Sequence, residues 1–206
     1  MQSDTPHPAY LSLVERLNRL PQGAPPSGSL YAILSILFSP REAELVALLP
    51  VKPFTVRQAA QNWKMPEFEA QKVLESLASR ALLLDTVLPD GSLTYVLPPP
   101  MAGFFEFALM RQRDDIDAKK LSELFHQYCA LENDFMFSLF NNQTQVGRIF
   151  VNEPLLPDVH VLDYERASEV IRSASTRAVG LCYCRHKAQL AHQNACNAPL
   201  EICVTL

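Results

Sequence analysis

The densest group of reactive side chains lies near the end of the chain, between residues 182 and 203. This stretch, CYCRHKAQLAHQNACNAPLEIC, holds four of the five cysteines in the sequence. The first two are spaced C-x-C, and gaps of eleven and then six residues separate the other two. Cysteine thiolates are soft ligands that suit zinc and iron–sulfur clusters. The pattern therefore predicts a metal or cluster site at Cys182, Cys184, Cys196 and Cys203.

The cysteine spacing alone leaves the kind of site open. It differs from the C-x₂-C-x₂-C-x₃-C-P run of bacterial ferredoxins and from the paired C-x₂-C ligands of zinc fingers. Two disulfides are disfavoured because nothing in the sequence suggests export to an oxidising compartment. Burial as ordinary apolar side chains does not account for four thiols within one polar stretch. A [4Fe–4S] cluster and a zinc ion both remain open at this point.

Polar side chains beside the cysteines are candidates for tuning the site. Arg185, His186 and Lys187 follow Cys184 directly, and His192 lies in the same stretch. Because four thiolates make a site anionic, positive side chains there offset charge or donate hydrogen bonds to sulfur. We expect both histidines to lie outside the ligand set, since four cysteines already complete a tetrahedral one.

Local sequence predicts how the cysteines are held. Alternate residues of a strand face one side, so a strand ending here would place Cys182 and Cys184 together. Asn197 suits a helix N-cap and Pro199 suits the first helical turn. We therefore expect Cys203 in a short helix, where the positive end of the helix dipole favours a thiolate.

Upstream, residues 28–100 have the element order of a winged helix-turn-helix module. Apolar periodicity predicts helices over 30–49 with a break at Ser39-Pro40, over 55–64 with Thr55 as cap, and over 67–80. Strands at 81–88 and 92–97 flank Pro89-Asp90-Gly91, which is a hairpin signal. The third predicted helix carries Glu67, Glu69 and Glu75 against Lys72 and Arg80. DNA affinity depends on neutralising phosphates, so we expect docking to a protein and no sequence-specific DNA binding, although Arg57 and Lys64 would serve the DNA-binding alternative.

The flanking segments complete a mixed α/β architecture that is mostly helical. Residues 1–27 form an N-terminal helical arm, with a helix over 10–20, and a linker rich in proline and glycine. Residues 101–206 form a helical connector followed by the cysteine-rich, cluster-binding α/β region. The expected elements are helices over 103–113, 118–140 with Asp117 as cap, and 164–174 with Asp163 as cap, and a strand over 145–151. The lone Cys129 is expected in the core or on the surface, not among the ligands.

Composition narrows the functional classes. The 206 residues are 48% hydrophobic and 19% charged, which is typical of a globular protein. A net charge of −4 provides no overall basic field for nucleic acid or anionic lipid. No apolar run reaches the length of a membrane span. Residues 1–6 lack the features of a secretory signal, so we expect a cytoplasmic location.

Three stretches of the chain resemble a family of bacterial iron–sulfur proteins described as 4Fe-4S-binding or ferredoxin-like, with a winged-helix-like N-terminal region. They are C-Y-C-R-H-K-A…H…C-N-A-P-L-E-I-C at 182–203, PPMAGFFEFALMRQRDDID at 99–117 and GRIFVNEPLLP at 147–157. The resemblance covers nearly the whole chain and implies a [4Fe–4S] cluster on the four cysteines. Members of that family continue into further cysteine-rich runs with C-x₂-C-x₂-C motifs. This chain has none of those motifs, so their ligands are not carried over.

The favoured function is [4Fe–4S] cluster binding with an electron-transfer or redox role. We expect an electron carrier or a subunit of a redox complex in preference to a stand-alone enzyme. Its partner would be a redox protein or a further ferredoxin-type region. The alternative is a metal- or cluster-sensing transcriptional regulator that binds DNA through the winged helix, and a third candidate is a structural adaptor. Because only three residues follow Cys203, we also expect the sequence to be the N-terminal portion of a longer functional unit.

Overall fold

The computed structural model describes residues 5–141, 163–193 and 196–206, and this part of the chain is mostly helical. Its helices are α1 Pro8–Leu17, α2 Gly28–Leu37, α3 Pro40–Ala47, α4 Val56–Trp63, α5 Glu67–Ser79, α6 Phe105–Phe107, α7 Ala118–His126, α8 Asp134–Phe140, α9 Tyr164–Ser173 and α10 Tyr183–Leu190. Antiparallel pairs of strands form two small sheets in the described ranges: β1 Leu84–Val87 with β2 Leu93–Val96, and β3 Ala178–Leu181 with β4 Glu201–Thr205. The predicted α/β class with a helical majority is confirmed. The strand predicted over 145–151 lies outside the described residues.

Capping residues in the sequence set where α3 and α4 begin. The hydroxyl of Ser39 accepts a hydrogen bond from the N–H of Glu42, and the Glu42 carboxylate accepts one from the N–H of Ser39 at 2.9 Å. Thr55 and Gln58 form the same reciprocal pair at the start of α4. Each pair satisfies two N–H groups that a helix start leaves unpaired, which is worth roughly 1 kcal/mol. The predicted break at Ser39 and the predicted cap at Thr55 are confirmed.

Helix α1 packs against α3 and fixes the N-terminal arm to the rest of the protein. Leu13 and Leu17 of α1 are fully buried. Arg16 is only 1% exposed, and its guanidinium donates from Nε to the carbonyl of Leu49 at 2.8 Å and from Nη2 to the carbonyl of Pro50 at 2.5 Å. A buried charge without hydrogen-bond partners is costly. The position of α1 against α3 therefore depends on the hydrogen bonds of Arg16.

Helices α4 and α5 pack together and are joined to the hairpin that follows. Phe54, just before α4, exchanges two backbone hydrogen bonds with Tyr95 of β2, at 2.8 and 2.7 Å. Their rings are stacked with centroids 6.4 Å apart. The turn of the hairpin contains Gly91 at a φ of 81°, where glycine is favoured because it has no Cβ. The predicted hairpin is confirmed, with strands shorter than expected.

The connector departs from the predicted helices. The expected continuous helix over 118–140 is wrong: α7 is followed by a π-helical turn, and Asn133 at a φ of 56° separates it from α8. Asparagine tolerates this left-handed conformation better than most residues. The break brings Phe135 back onto Phe105, with ring centroids 6.3 Å apart. Apolar packing between distant parts of the chain therefore decides the path here.

The expected helix over 103–113 is also wrong, because only Phe105–Phe107 is α-helical. The chain enters it through a kinked turn, Pro100–Phe104, in which Ala102 has a φ of 56°. This path aims two adjacent aromatic rings, Phe104 and Phe105, into the buried cluster, where both are 3% exposed or less. Gly103 has a non-helical backbone, with a φ of −157° and a ψ of −133°, so the expected helix cannot begin there.

A buried apolar cluster extends from α1 through α5 and the hairpin to the connector. By contrast, no residue of α9 is buried, and α10 packs on α6 and α7 of the connector. None of the helices in the described ranges is long and apolar enough to cross a membrane.

Candidate metal centre

The cysteines at the end of the chain belong to a small element, here called the cysteine unit, whose described residues are 178–193 and 196–206 and which contains β3, α10 and β4. Strand β3 runs antiparallel to β4, with Gly180 opposite Cys203. The chain then passes directly from β3 into α10 at Cys182. The N–H of Cys182 donates to the carbonyl of Leu200 at 2.6 Å, which ties the start of α10 to the segment before β4. Three of the four candidate ligands, Cys182, Cys184 and Cys203, therefore lie on or beside one short antiparallel pair.

The prediction that Cys203 lies in a short helix begun by Asn197 and Pro199 is wrong. Residues Glu201–Thr205 form strand β4. The sequence ICVT includes the β-branched residues Ile202, Val204 and Thr205, which favour strands. Pairing with β3 satisfies the backbone groups of this segment, which a helix of so few residues would leave largely unpaired.

Cys182 and Cys184 were expected on one face of a strand, and this local geometry is wrong as well. The strand ends at Leu181, Cys182 is the residue preceding α10, and Cys184 lies in its first turn. The two sulfurs nevertheless lie together, with the Sγ atoms 3.1 Å apart. Cys182 is 7% exposed, whereas Cys184 is exposed to solvent.

The contact between these two sulfurs shifts the pKa values of the two thiols in opposite directions. A hydrogen bond from Cys184 and a second from the backbone N–H of Arg185 lower the pKa of Cys182. The same contact raises the pKa of Cys184, which would lose the bond to its neighbour on ionising next to an anion. When the pair ionises, Cys182 therefore loses its proton before Cys184, and the Cys184 thiol donates a hydrogen bond to the resulting thiolate.

Cys196 is held by Arg185 from α10. The guanidinium donates from Nε to the Sγ of Cys196 at 3.0 Å and from Nη1 to the carbonyl of Pro199 at 3.2 Å. The backbone N–H of Ala198 and then Arg185 lower the pKa of Cys196, and this thiolate in turn raises the pKa of Arg185. The side chain predicted to offset thiolate charge thus contacts a predicted ligand directly.

The fourth sulfur belongs to Cys203, which is half-buried on β4. In the described ranges, no group of three or more cysteine, histidine, aspartate or glutamate side chains is arranged to hold a metal ion. The arrangement is therefore one contacting pair of thiols, a third thiol connected to α10 through Arg185, and a fourth on the neighbouring strand. All four belong to the same small element, and all four are free thiols.

The other polar residues predicted near the site have separate positions. The ring Nδ1 of His186 lies 2.8 Å from the carbonyl oxygen of Leu109, which attaches α10 to the connector. Lys187 lines a small cavity between α10 and the connector. His192 follows the end of α10 in a left-handed conformation with a φ of 52° and is exposed. Arg185 is the one of these four side chains with a described hydrogen bond to a cysteine.

The cavity beside Lys187 was not anticipated from sequence. It has a volume of about 50 Å³ and its polar lining includes Glu106, Cys129, Tyr183 and Lys187. Burial raises the pKa of Cys129 to about 11 and that of Tyr183 to about 12. Cys129 is half-buried. Tyr183 reaches this cavity because the chain turns from β3 directly into α10. The apolar periodicity of the sequence did not predict this helix.

Comparison of the chain with family models, with characterised proteins and with solved structures finds no significant match. The functional argument therefore rests on the residues of this chain and on their arrangement.

Proposed function

We propose that the protein binds a [4Fe–4S] cluster through Cys182, Cys184, Cys196 and Cys203 and serves in electron transfer. The observation that carries the proposal is the grouping of the four thiols: Cys182, Cys184 and Cys203 lie on or beside one antiparallel strand pair, and Arg185 of α10 holds Cys196. Uncoordinated thiols scattered by chance would not be expected to share one element of 29 residues, 178–206, that also supplies a guanidinium to one of the sulfurs.

The donor set fits a soft metal centre. The four candidate ligands are all cysteines, and thiolates favour iron–sulfur clusters or zinc over hard cations. The pKa values of Cys182 and Cys196 are lowered from that of an ordinary cysteine, which favours the thiolate form that binds metal. Arg185 places a positive charge where an anionic centre needs one.

Zinc is the second candidate, and the contact between the paired sulfurs favours it. Two thiolates on one tetrahedral zinc ion lie about 3.8 Å apart, given a Zn–S bond of about 2.3 Å. The 3.1 Å separation of the Cys182 and Cys184 sulfurs is about 0.7 Å shorter, so the pair would need to open only slightly to bind one zinc ion. The resemblance of the C-Y-C-R-H-K-A stretch to iron–sulfur proteins favours the cluster, and we place it first.

The roles of the chain's own residues follow from their contacts. Arg185 holds Cys196 and the Pro199 carbonyl, and so orients the segment between α10 and β4. His186 and Tyr183 hold α10 against the connector. When bound, an iron–sulfur cluster supplies one-electron transfer, and the protein tunes its potential through hydrogen bonds to sulfur, charge and solvent exposure.

We further propose that residues 28–100 form a winged-helix module used for docking. Support comes from the order of α2 to α5 and the β1–β2 hairpin, together with the pairing of Phe54 with Tyr95, which adds an extended residue to that hairpin. In a DNA-binding winged helix, the helix in the position of α5 would enter the major groove.

The exposed side of α5 is unsuited to DNA. Glu67, Glu69 and Glu75 are exposed there, and Lys72 is the basic residue of the helix. Phe68 is 60% exposed, with the Lys72 ammonium 5.6 Å from its ring centroid. Burial is the main reason that the pKa of Tyr95 is raised, and the charges of Glu75 on α5 and Asp85 on the hairpin add to the effect. Negative charge therefore continues from α5 onto the hairpin. An exposed aromatic ring among carboxylates fits a protein partner with positive charge better than a phosphate backbone.

The DNA-binding alternative has one favourable observation. Arg57 and Lys64 line an open groove of about 500 Å³ beside the start of α5, but Glu67 lines it too. A specific DNA complex whose affinity falls in an Arg57→Ala, Lys64→Ala double variant would favour the regulator. If the wild-type protein and the double variant bind DNA equally weakly, and salt abolishes this binding in both, the result would support protein docking over DNA binding.

Anaerobic purification tests the cofactor. We expect a brown protein with near-equal iron and acid-labile sulfide. Single serine variants at Cys182, Cys184, Cys196 and Cys203 should lose most of the visible absorbance, and the matched Cys129→Ser variant should keep it. Stoichiometric zinc without sulfide would refute the cluster and support the zinc site. Loss of the cluster in Cys129→Ser, with the cluster retained in the other four variants, would refute the ligand assignment.

A further inference from the structure

We propose that Cys182 and Cys184 form a thiol–disulfide exchange pair, which closes to an intrachain disulfide by reaction with a small-molecule disulfide such as glutathione disulfide when no metal or cluster is bound. The reaction itself needs only the two thiols. Its consequence for loading of the site rests on the proposed function above.

Geometry prepares the pair for closure. The two Sγ atoms are 3.1 Å apart, and a disulfide bond is about 2.05 Å long. The remaining approach of about 1 Å is within reach of small side-chain rotations. The backbone of Cys182 is fixed on both sides, since its N–H donates to the Leu200 carbonyl and its carbonyl accepts from the His186 N–H at 2.9 Å. The entropic cost of bringing the sulfurs together is therefore largely met by the fold.

Exposure sets the order of the two exchange steps. Cys184 is exposed, whereas Cys182 is 7% exposed. Thiol–disulfide exchange requires access to the attacking sulfur. The exposed Cys184 sulfur therefore meets the external disulfide first, and the buried Cys182 sulfur resolves the mixed disulfide from inside.

The chemistry balances with glutathione disulfide as the oxidant. In the first step the proton shared by the pair moves to Cys182, the exposed Cys184 sulfur attacks as the thiolate and forms an S–S bond with one glutathione sulfur, the bond within glutathione disulfide breaks, and one glutathione leaves with the Cys182 proton. In the second step the Cys182 thiolate attacks the Cys184 sulfur, the bond to glutathione breaks, and the second glutathione leaves. The two cysteines are oxidised, one glutathione disulfide is reduced, and both protons end on the released glutathione thiols.

Closure would control loading of the candidate centre. A disulfide removes both sulfurs of the pair, which are two of the four proposed ligands, so the oxidised protein cannot take up a four-thiolate centre. A thiol reductant reopens the pair by the reverse exchange. The C-x-C pair then makes assembly of the site dependent on the thiol–disulfide balance around it.

Intact-mass analysis and tryptic mapping of the metal-free, reduced 206-residue chain test the proposal. Arg177 and Arg185 flank the pair, so trypsin releases AVGLCYCR, which holds Cys182 and Cys184 and no other cysteine. Lys187 separates this peptide from the one with Cys196 and Cys203. After glutathione disulfide treatment, AVGLCYCR should lose the mass of two hydrogens and carry no glutathione, and the reactive thiols should fall from five to three.

Variants distinguish the two sulfurs. Cys182→Ser should accumulate one glutathione on Cys184, because the resolving sulfur is missing. Cys184→Ser should react about tenfold more slowly, because the remaining sulfur is buried. Cys129→Ser serves as the matched control and should close like the wild-type chain. Circular dichroism checks that each variant is folded.

A lasting glutathione adduct on the wild-type AVGLCYCR peptide would overturn the proposal. So would a disulfide joining this peptide to the one that contains Cys196 and Cys203. Iron and sulfide uptake by the fully reduced chain is measured separately. If the pair closes but the reduced chain takes up no iron, the proposed cluster is refuted and the exchange pair stands. If the reduced chain takes up a cluster but the pair does not close, the exchange pair is refuted and the proposed cluster stands.

Discussion

The connector is joined to the C-terminal end of α5 by Arg113, and Asp115 holds this side chain in place. Arg113 donates to the two carboxylate oxygens of Asp115, from Nε at 2.8 Å and from Nη2 at 2.5 Å. Its Nη1 donates to the carbonyl of Arg80 at 3.3 Å, just past the last turn of α5. The Arg113 side chain is 2% exposed and that of Asp115 is 53% exposed. Asp115→Asn should therefore weaken the attachment of the connector to α5.

The size of this effect follows from the acidity of Asp115. The hydrogen bond from Arg113 is the main reason that the pKa of Asp115 falls from 3.8 to about 2. At roughly 1.36 kcal/mol per pKa unit, this difference corresponds to about 2.4 kcal/mol for a fully shielded pair. Because Asp115 is half-exposed, solvent screening reduces the expected loss in Asp115→Asn to about 1 kcal/mol at pH 7.

The pH dependence has a definite sign. The pKa of Asp115 is lower in the folded protein than in the unfolded chain, so the ionised carboxylate stabilises the fold above the unfolded pKa. This contribution is lost as the pH falls through the folded pKa. The stability difference between wild type and Asp115→Asn should therefore be constant from pH 7 to pH 5 and about half as large at pH 3.

Urea unfolding followed by the fluorescence of Trp63 measures this difference. The matched control is Asp114→Asn, because Asp114 is the neighbouring residue, is exposed and has no ion pair among the described residues. Its substitution should change the free energy of unfolding by less than about 0.5 kcal/mol. Equal losses in the two variants, or an Asp115→Asn difference that does not shrink at pH 3, would refute the reasoning.

Three further predictions concern other parts of the fold. Trp63→Phe removes the indole N–H that donates to the Leu45 carbonyl at 2.7 Å, so the free energy of unfolding should fall by about 1–3 kcal/mol in urea titrations followed by circular dichroism. Asn133 has a φ of 56°, so Asn133→Ala should destabilise the protein by about 1 kcal/mol while Asn133→Gly stays close to wild type in the same assay. Phe68 is 60% exposed, so Phe68→Ala should leave the melting temperature nearly unchanged, and a large drop would show that the ring is part of the core.

Features encoded by neighbouring residues were predictable from the sequence. The caps at Ser39, Thr55, Asp117 and Asp163 are all confirmed, because each depends on a side chain and N–H groups within three residues. The hairpin turn at Gly91 is of the same kind. Such signals do not depend on what the element packs against.

Features decided by distant contacts were not predictable in the same way. The capping signal at Asn197 and Pro199 indicated a helix, but Cys203 pairs with Gly180, 23 residues earlier in the chain, and this pairing prevails over the local preference. Likewise, the break at Asn133 depends on packing of Phe135 against Phe105. In the candidate centre, residue types predicted the thiols and the role of Arg185 as a partner of sulfur, whereas their positions depended on the strand pair.

The segment 109–113 connects the cysteine unit to α5. On one side, the Leu181 N–H donates to the Met110 carbonyl at 2.7 Å and His186 contacts the Leu109 carbonyl. A Cβ at Gly180 would be 3.2 Å from the same Met110 oxygen, a tight contact that would displace the connector by a few tenths of an ångström. On the other side, Arg111 donates to the carbonyl of Ser79 at 2.6 Å, at the end of α5.

The short segment 109–113 thus contacts both the cysteine unit and the helix proposed to dock a partner. Positive side chains at the C-terminal end of α5 are favoured by the helix dipole, and this end is held by Arg111 and Arg113 of the connector. The opposite contacts, at Leu109 and Met110, are made through backbone carbonyls, which fixes the position of β3 and α10 irrespective of connector side chains. A partner bound on the outer face of α5 would therefore be held in a defined orientation to the cysteines, which is the arrangement that electron transfer between docked proteins requires.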